Sequence, residues 1–509
     1  MLALKSVGVG FDAHTLFVDD ISLDLSEGHA LLVCGAGGSG KSTLLAAASG
    51  VIPRLVKPAH FSGEVALDGA PLRTLSNAAL FSQIGLVFQN LDDQLWNLSL
   101  EDLIAFPLEN RGRPRREVRD QVAALIASFG LERLRGRQVL TMSGGERRMA
   151  ALAAAMSGEP RVLILDEPTT GLDPEARSRL VAILRSIRQG TPHPPILLAA
   201  DQDGSSLAPA MEQVSFLRGG SASPPLPMPA ALGLSAAWLE AGVLSPGQVH
   251  NRRHPSSLGK GLLEVSGLRT RLRRSDGRAV IENLDLTLHA GEVVAVIGPN
   301  GAGKTTLFQT ILGLIRQERG RIIIEGHDAG TWTPGRRARA IGYLPQNMRR
   351  VLFNMTVLDE VAFAIAGDTR RIADPGVRAG AESCLSRFGL AQLGSSNPFA
   401  LSSRQQGILG LACLDGAQCP VSILDEPLLG RDVAGRAMLD RYLAEVTTRG
   451  RAALLITHDM DLVDEVADRV IMMREGQVAF EGPTAACWPS MAFRSLGWDS
   501  PRIIADMMA

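Results

Sequence analysis

The sequence contains no run of about 18 consecutive apolar residues, so no membrane-spanning helix is expected. It has almost no net charge: 52 Lys and Arg stand against 53 Asp and Glu, giving −1, and this balance does not mark a nucleic-acid binder. Cysteine is scarce. Cys34, Cys384, Cys413, Cys419 and Cys487 are scattered without metal-type spacing, a pattern that suits reduced thiols in a cytosolic protein rather than a disulfide scaffold. The opening stretch "MLALKSVGVGFDAH" lacks both a long apolar core and a small-residue cleavage site, so a secretion signal is not expected.

What is present points to folded domains. A chain of 509 residues has room for two to four of them, and 45% hydrophobic with 21% charged residues gives each a core. The chain also contains itself twice. "LLVCGAGGSGKSTLL" (31–45) resembles "VAVIGPNGAGKTTLF" (294–308), and "VLILDEPTTGLD" (162–173) resembles "VSILDEPLLGRD" (421–432). Lys41 to Asp166 spans 125 residues and Lys304 to Asp425 spans 121, so order and spacing repeat together. The boundaries expected are 1–220 for the first domain, 221–260 for a linker rich in Pro, Ala and Gly with one short helix, and 261–509 for the second domain. Within the linker, His250 and His254 are four apart and read as solvated rather than as metal ligands. Apolar runs alternate with helical stretches in each half, which predicts an α/β fold with a mostly parallel sheet. "HALLVCG" and "EVVAVIG" are continuous apolar strands, as expected where both sheet faces are covered.

Two segments carry phosphate chemistry. Gly35, Ala36, Gly37, Gly38, Ser39, Gly40, Lys41 and Ser42 form one G-x-x-x-x-G-K-[ST] loop; Gly298, Pro299, Asn300, Gly301, Ala302, Gly303, Lys304 and Thr305 form the other. Each follows an apolar strand and opens a helical run, so backbone N–H groups can wrap phosphates at a helix N-terminus. Lys41 and Lys304 would reach the outer phosphates, with the Ser42 and Thr305 hydroxyls turned to Mg²⁺. Asp166 and Asp425 end buried strands near that ion. Glu167 and Glu426 follow them, placed to orient or deprotonate water.

On these residues the chain resembles an ATP-binding-cassette protein with two fused nucleotide-binding domains. The resemblance implies two tandem P-loop NTPase domains. Each would have a core sheet, an antiparallel β subdomain and a helical subdomain, and ATP and Mg²⁺ would be the cofactors. It also assigns further residues. Gln89 and Gln346 follow the second part of the core, Asp173 and Asp432 lie in the loop after D-E-P, and Phe11 stands where an early aromatic stacks on adenine, with Leu272 in its place in the second half. The signature segments are Ser143, Gly144, Gly145 and Glu146 in one half and Ser402, Ser403, Arg404 and Gln405 in the other. His458, in "LLITHDMD", is the γ-phosphate contact, and counting back from Val214 as from Val470 puts Gln202 at the corresponding place. A glutamine donates a hydrogen bond but cannot carry an imidazolium charge.

In this family the signature of one domain completes the site on the other, so the halves would form an internal pseudo-dimer with two unlike sites. One combines the second phosphate loop, Gln346, Asp425, Glu426 and His458 with Ser143, Gly144 and Gly145. The other combines the first phosphate loop, Gln89, Asp166, Glu167 and Gln202 with Ser402, Ser403 and Arg404. Both departures then fall in the second of these, predicting one hydrolytic site and one degenerate site. Arg404 either obstructs the phosphate there or lends it charge, as an arginine finger does; the retained Glu167 is compatible with the latter.

With no span encoded, transport requires separate membrane subunits. "FQNLDDQLWNLSLEDLIAFPLEN" resembles the segment after the glutamine in energy-coupling-factor importers, and "PQNMRRVLFNMTVLDEVAFAIAG" resembles it less closely. The resemblance implies uptake of a vitamin or a cobalt/nickel-like micronutrient. The partners would be a T-type coupling subunit and a substrate-binding S-type subunit, with the chain at the cytoplasmic face of the membrane. Alternatively these acids and amides cap the helix that follows. Other readings are the fused ATPase of a monosaccharide or peptide importer, or a soluble tandem-cassette translation or stress ATPase. The short, proline-rich linker, poor in charge, disfavours the last, and the missing zinc-type cysteine clusters disfavour a DNA-repair cassette. The basic runs 111–120 and 269–278 read as solvated faces rather than lipid contacts.

Overall fold

In a computed structural model the chain divides into two units, Met1–Gln248 with Arg431–Val433, and Val249–Gly430 with Ala434–Ala509. The structure describes residues 1–12, 15–91, 94–190, 193–245, 258–274, 276–427, 429 and 432–501. Among the expectations above, Asp92 and Asp93 of the energy-coupling-type segment, and His250 and His254, lie outside these residues.

The strands of the first unit are β1 (Leu2–Gly10), β2 (Leu16–Leu25), β3 (Ala30–Cys34), β4 (His60–Leu67), β5 (Ala70–Pro71), β6 (Ile84–Val87), β7 (Val162–Asp166), β8 (Ile196–Asp201), β9 (Gln213–Arg218), β10 (Ser221–Ala222) and β11 (Leu226–Pro227). Among the described residues β2-β1-β4-β5 form an antiparallel sheet. The central sheet runs β10-β9-β3-β8-β7-β6, with β11 also on β9, and its β6-β7-β8-β3-β9 portion is parallel. Every residue of β3, β7 and β8 is buried, the state predicted by their unbroken apolar runs.

The second unit repeats the plan with β12 (Gly261–Thr270), β13 (Leu284–His289), β14 (Val293–Ile297), β15 (Gln317–Ile324), β16 (His327–Asp328), β17 (Ile341–Leu344), β18 (Val421–Asp425), β19 (Ala452–Ile456), β20 (Arg469–Arg474) and β21 (Gln477–Pro483). Here the sheets are β13-β12-β15-β16 and β17-β18-β19-β14-β20-β21. Between β6 and β7, and again between β17 and β18, the chain inserts three longer helices: Leu100–Glu109, Arg115–Ser128 and Gly144–Ser157 in the first unit, Val357–Ala366, Pro375–Arg387 and Ser403–Ala417 in the second. In the run "RRMAALAAAMSG" the residues Met149 to Ala153 are buried, so this is a packed helix. Several arginines of the basic runs pair with acids, as in Arg113–Glu117, Arg116–Asp120, Arg273–Glu318 and Arg278–Asp276.

Residues 221–245, read from composition as linker, are part of the first unit. β10 and β11 pair antiparallel with β9, and two short helices follow, Met228–Leu232 and Ser235–Glu240. Trp238 is fully buried, edge-on to Phe216 at 4.9 Å, and its indole N–H donates to Ala231 O at 2.8 Å. The internal repeat explains this. β21 pairs antiparallel with β20, and the helices Thr484–Cys487 and Met491–Arg494 come next, so 221–245 is the first copy of the closing segment of the second unit. Proline and alanine serve there as helix starts and small packing residues, not as a spacer.

Candidate functional site

Both phosphate-loop motifs leave the carboxyl end of a buried parallel strand, β3 or β14, and enter a helix at the lysine, Lys41–Ala48 or Lys304–Ile311. The loops demand glycine where backbone closes on backbone. Gly40 has φ 101°, and a Cβ there would lie 2.0 Å from Phe17 O. At Gly298, φ 145°, a Cβ would lie 2.1 Å from Met473 O. Lys41 Nζ donates to Gly35 O at 2.7 Å and Ala36 O at 3.0 Å; Lys304 Nζ donates to Gly298 O at 2.6 Å and Pro299 O at 3.1 Å. Both lysines are buried and folded back across their own loop, with a cationic head at the centre of a ring of peptide groups.

The aspartates end β7 and β18 beside those helices. Burial pushes the Asp166 carboxyl up to about 7, against the opposing hydrogen bond from the Ser42 hydroxyl. Its Oδ1 is buried and accepts no hydrogen bond. Burial also raises Asp425, whose Oδ2 accepts from Tyr343 OH at 3.1 Å and which feels Lys304 nearby. A buried carboxyl with an open oxygen, next to a hydroxyl and a loop built for phosphate, is a donor set that fits a hard divalent cation.

The glutamates are held in an uncommon conformation. Glu167 (φ 45°) and Glu426 (φ 50°) both lie in the left-handed region, with N–H groups donating to Ala200 O (2.7 Å) and Ile456 O (2.9 Å). The strand therefore turns sharply after its aspartate and aims the next side chain along the sheet edge. β7 and β18 pair in the same way with their neighbours: Asp166 lies opposite Ala200 and Asp425 opposite Ile456. Two residues further on, this register places Gln202 in one unit and His458 in the other.

Their contacts differ as their chemistry requires. Gln202 Nε2 donates to Glu167 Oε1 at 2.6 Å, and Gln89 Nε2 donates to Oε2 at 2.9 Å, so two amides grip both carboxylate oxygens. In the second unit His458 Nε2 lies 3.4 Å from Glu426 Oε1, and Gln346 is exposed. An imidazole can donate or accept at that nitrogen, whereas an amide NH₂ can only donate.

The signature segments start helices. Ser143 caps Gly144–Ser157 in a reciprocal box with Glu146, and Ser402 caps Ser403–Ala417 in the same box with Gln405. The altered copy thus keeps the local fold of the intact one. A Cβ on Gly144 would meet nothing within 4 Å, so its own unit does not require glycine there. Asp173 caps the helix Pro174–Gln189 and is buried, as is Asp432. Phe11 is exposed and edge-on to Phe17 at 5.8 Å; Leu272 is exposed. Gln94 and Glu360, which lie in the two segments that resemble the energy-coupling-factor pattern, bind local backbone: Gln94 bridges Leu86 O and Phe88 N, and Glu360 accepts from Asn354 N at 2.8 Å.

Two further residues went unread in the sequence. Arg148 is buried in the first signature helix and donates to Glu167 O (3.0 Å) and Gln89 O (3.1 Å), tying that helix to both site elements. Its counterpart is Gly407, where a Cβ would lie 3.2 Å from Leu429. Tyr343, which holds Asp425, corresponds to Leu86. Aligning "SGGERR" with "SSRQQG" and "IGLV" with "IGYL" displays both differences.

A family model described as ABC transporter matches residues 18–170 and 281–429. The chain belongs to the ABC transporter family. Its two tandem ABC-type P-loop domains bind and hydrolyse ATP, and it is the ATPase subunit of a transporter. One relative, a "Putative ABC transporter ATP-binding protein" of Methanosarcina mazei, is 30% identical over 92% of this chain and 86% of its own length. Another, the "Putative HMP/thiamine import ATP-binding protein YkoD" of Bacillus subtilis (strain 168), is 29% identical over 92% of this chain and 88% of its own. Among solved structures, a "Model of ribosome-bound archaeal Pelota and ABCE1" aligns over 94% of this chain and 79% of that one, with a TM-score of 0.65 and 18% identity. This last likeness speaks to the tandem fold alone. No helix among the described residues of the ABC ATPase is long and apolar enough to cross a membrane.

Proposed function

We propose that the chain powers an importer of the energy-coupling-factor type, taking up a vitamin or a cobalt/nickel-like micronutrient through T-type and S-type membrane subunits. The observation that carries this reading is an aromatic pair repeated in both cassettes at the entrance to the helical subdomain, with both rings exposed in the first and an exposed ring on a half-buried one in the second. Trp96 (59% exposed) stands edge-on to Phe106 at 5.6 Å, and Phe353 (55% exposed) stands edge-on to Phe363 at 4.8 Å. Seven residues separate Gln89 from Trp96 and Gln346 from Phe353, so each pair follows the glutamine at the same distance. In the second unit the pair borders a groove of about 910 Å³ that also takes in Leu314, Val351, Leu352 and Leu414. Exposed apolar rings beside an open groove suit the short helix of a membrane subunit. The import named for the Bacillus relative supports a vitamin-type cargo.

Within this reading the two sites differ. Glu426, beside His458, is the catalytic acid–base group of the hydrolytic site completed by Ser143, Gly144 and Gly145. Glu167, gripped by Gln89 and Gln202, belongs to the site completed by Ser402, Ser403 and Arg404, which chiefly holds its nucleotide. Ser42 with Asp166, and Thr305 with Asp425, are the residues that would hold Mg²⁺, which supplies charge neutralisation on the phosphates when bound. Lys41 and Lys304 orient the outer phosphates, and the glutamates hold water in line. Affinity purification from membranes tests the assignment. The native chain is expected to bring down two kinds of integral subunit, and Trp96→Ala with Phe353→Ala to lose them while ATP binding stays native. Recovery of ribosomes in place of membrane proteins would refute it.

A further inference from the structure

The cassette that carries the histidine also carries an aromatic ring against it. Trp498 packs edge-to-face on the His458 imidazole, with ring centroids 6.1 Å apart and planes at 79°. Both residues are buried, at 7% and 4% exposure. Trp498 comes from the closing segment of the second unit, far from His458 in sequence, and its ring is itself held. Phe493 stands edge-on to it at 6.4 Å, and Trp488 stands edge-on to Phe493 at 5.1 Å. The Trp488 indole N–H donates to Asp464 Oδ1 at 2.6 Å, on the helix Met460–Val466 that directly follows His458. The closing segment therefore grips the histidine and the helix behind it.

The first cassette shows what the arrangement is for. Its closing segment ends in the same turn: Gly242 (φ 74°) and Gly497 (φ 66°) are left-handed, and their N–H groups donate to Leu239 O (2.9 Å) and Arg494 O (3.1 Å). The residue after the glycine is Val243 in one and Trp498 in the other. The ring is present beside His458 and replaced by an aliphatic residue in the cassette with Gln202. A glutamine reaching Glu167 is fixed by the hydrogen bond it donates.

We propose that Trp498 is a positioning residue for ATP hydrolysis, holding the His458 imidazole in the orientation that faces Glu426 and the γ-phosphate. This rests on the reading of His458 as the phosphate contact. The ring removes alternative rotamers of a side chain that must stay aligned as charge builds on the phosphate, so its loss acts on turnover rather than on nucleotide affinity. Steady-state ATPase of the full-length chain tests this, with activity scaled to the folded fraction seen in a thermal melt. Trp498→Leu keeps apolar bulk without a ring and is expected to lower kcat about two- to tenfold with KM for ATP little changed. Trp498→Phe keeps a ring and is expected to recover most of kcat at a similar Tm. Native kcat in Trp498→Leu, or an equal fall in Trp498→Phe, overturns the inference. His458→Ala separates the two readings. If it lowers kcat while Trp498→Leu does not, only the positioning role fails; if it leaves kcat intact, the role of His458 fails and this inference falls with it.

Discussion

At the scale of single residues, the site is built by burying charge where nucleotide chemistry needs it. Asp166 is the clearest instance. Its carboxyl sits at about 7 in the folded protein against an ordinary value of 3.8, with desolvation the main cause. Between those two values the folded state binds more protons than the unfolded state. For an acid raised in this way, stability is greatest at low pH and falls as pH rises through the window from about 4 to about 7. Above that window the native protein carries a buried charge that the Ser42 hydrogen bond and Lys41 offset in part, and that a bound cation would relieve further. Asp166→Asn is therefore expected to raise the Tm of the nucleotide-free protein at pH 8, to flatten the fall in Tm between pH 5 and pH 7, and to weaken Mg–ATP binding at the same time. A melt series with pH and a nucleotide titration read all three. A lower Tm for the asparagine variant at pH 8 would show that the buried carboxylate is compensated by the protein alone. The sequence displayed the aspartate, its apolar strand and the serine of the loop. It could not display the left-handed turn at Glu167 and Glu426, because that conformation is imposed by hydrogen bonds to β8 and β19 from outside the motif.

Elements transmit these differences, and the signature helices show how an altered motif can keep its architecture. Ser402 and Gln405 reproduce the capping box of Ser143 and Glu146, so replacing two glycines by Ser403 and Arg404 leaves the helix start intact. Local stability and nucleotide chemistry are thereby separable. Removing either cap should cost about 1 kcal/mol of stability, since each leaves an N-terminal N–H without its acceptor. The proposed asymmetry predicts unequal functional costs. Ser143→Ala should lower steady-state ATPase by at least tenfold, because it strips the intact site, whereas Ser402→Ala should stay within about twofold of native. Denaturant melts beside ATPase assays check both halves of the statement, and equal activity losses would remove the case for a lopsided pair. Much at this scale was legible, because strand, phosphate loop and helix follow one another in local sequence with their own start signals. Arg148 was not: its meaning comes from carbonyls at 89 and 167 that only the fold brings to it.

For the molecule as a whole, the internal repeat proved a better guide than composition. Repetition of the two phosphate loops and the two D-E-P strands showed the tandem plan directly, yet 221–260 read as linker because its prolines, glycines and alanines resemble a spacer. Extending the repeat past β9 would have matched Pro227 to Pro483 and Gly242 to Gly497, each opening or closing the same short helical segment. Composition failed there because small residues also serve tight packing. A Cβ on Gly204 would lie 2.0 Å from the Trp238 ring, so the indole occupies space that only glycine leaves free. The consequence can be measured on fragments of the first unit. A chain ending at residue 220 keeps β3 beside β9 but loses β10 and β11, and uncovers Phe216 where Trp238 had packed on it; a chain ending at 245 keeps Trp238 buried. Loss of a buried tryptophan alone costs about 3–5 kcal/mol, a large part of the net stability of an ordinary domain. The 1–245 fragment is expected to melt cooperatively and bind ATP, and the 1–220 fragment to aggregate or melt at least 10 °C lower. Equal melting temperatures would mean that the segment merely rests on the unit, and the boundary would then move back to residue 220.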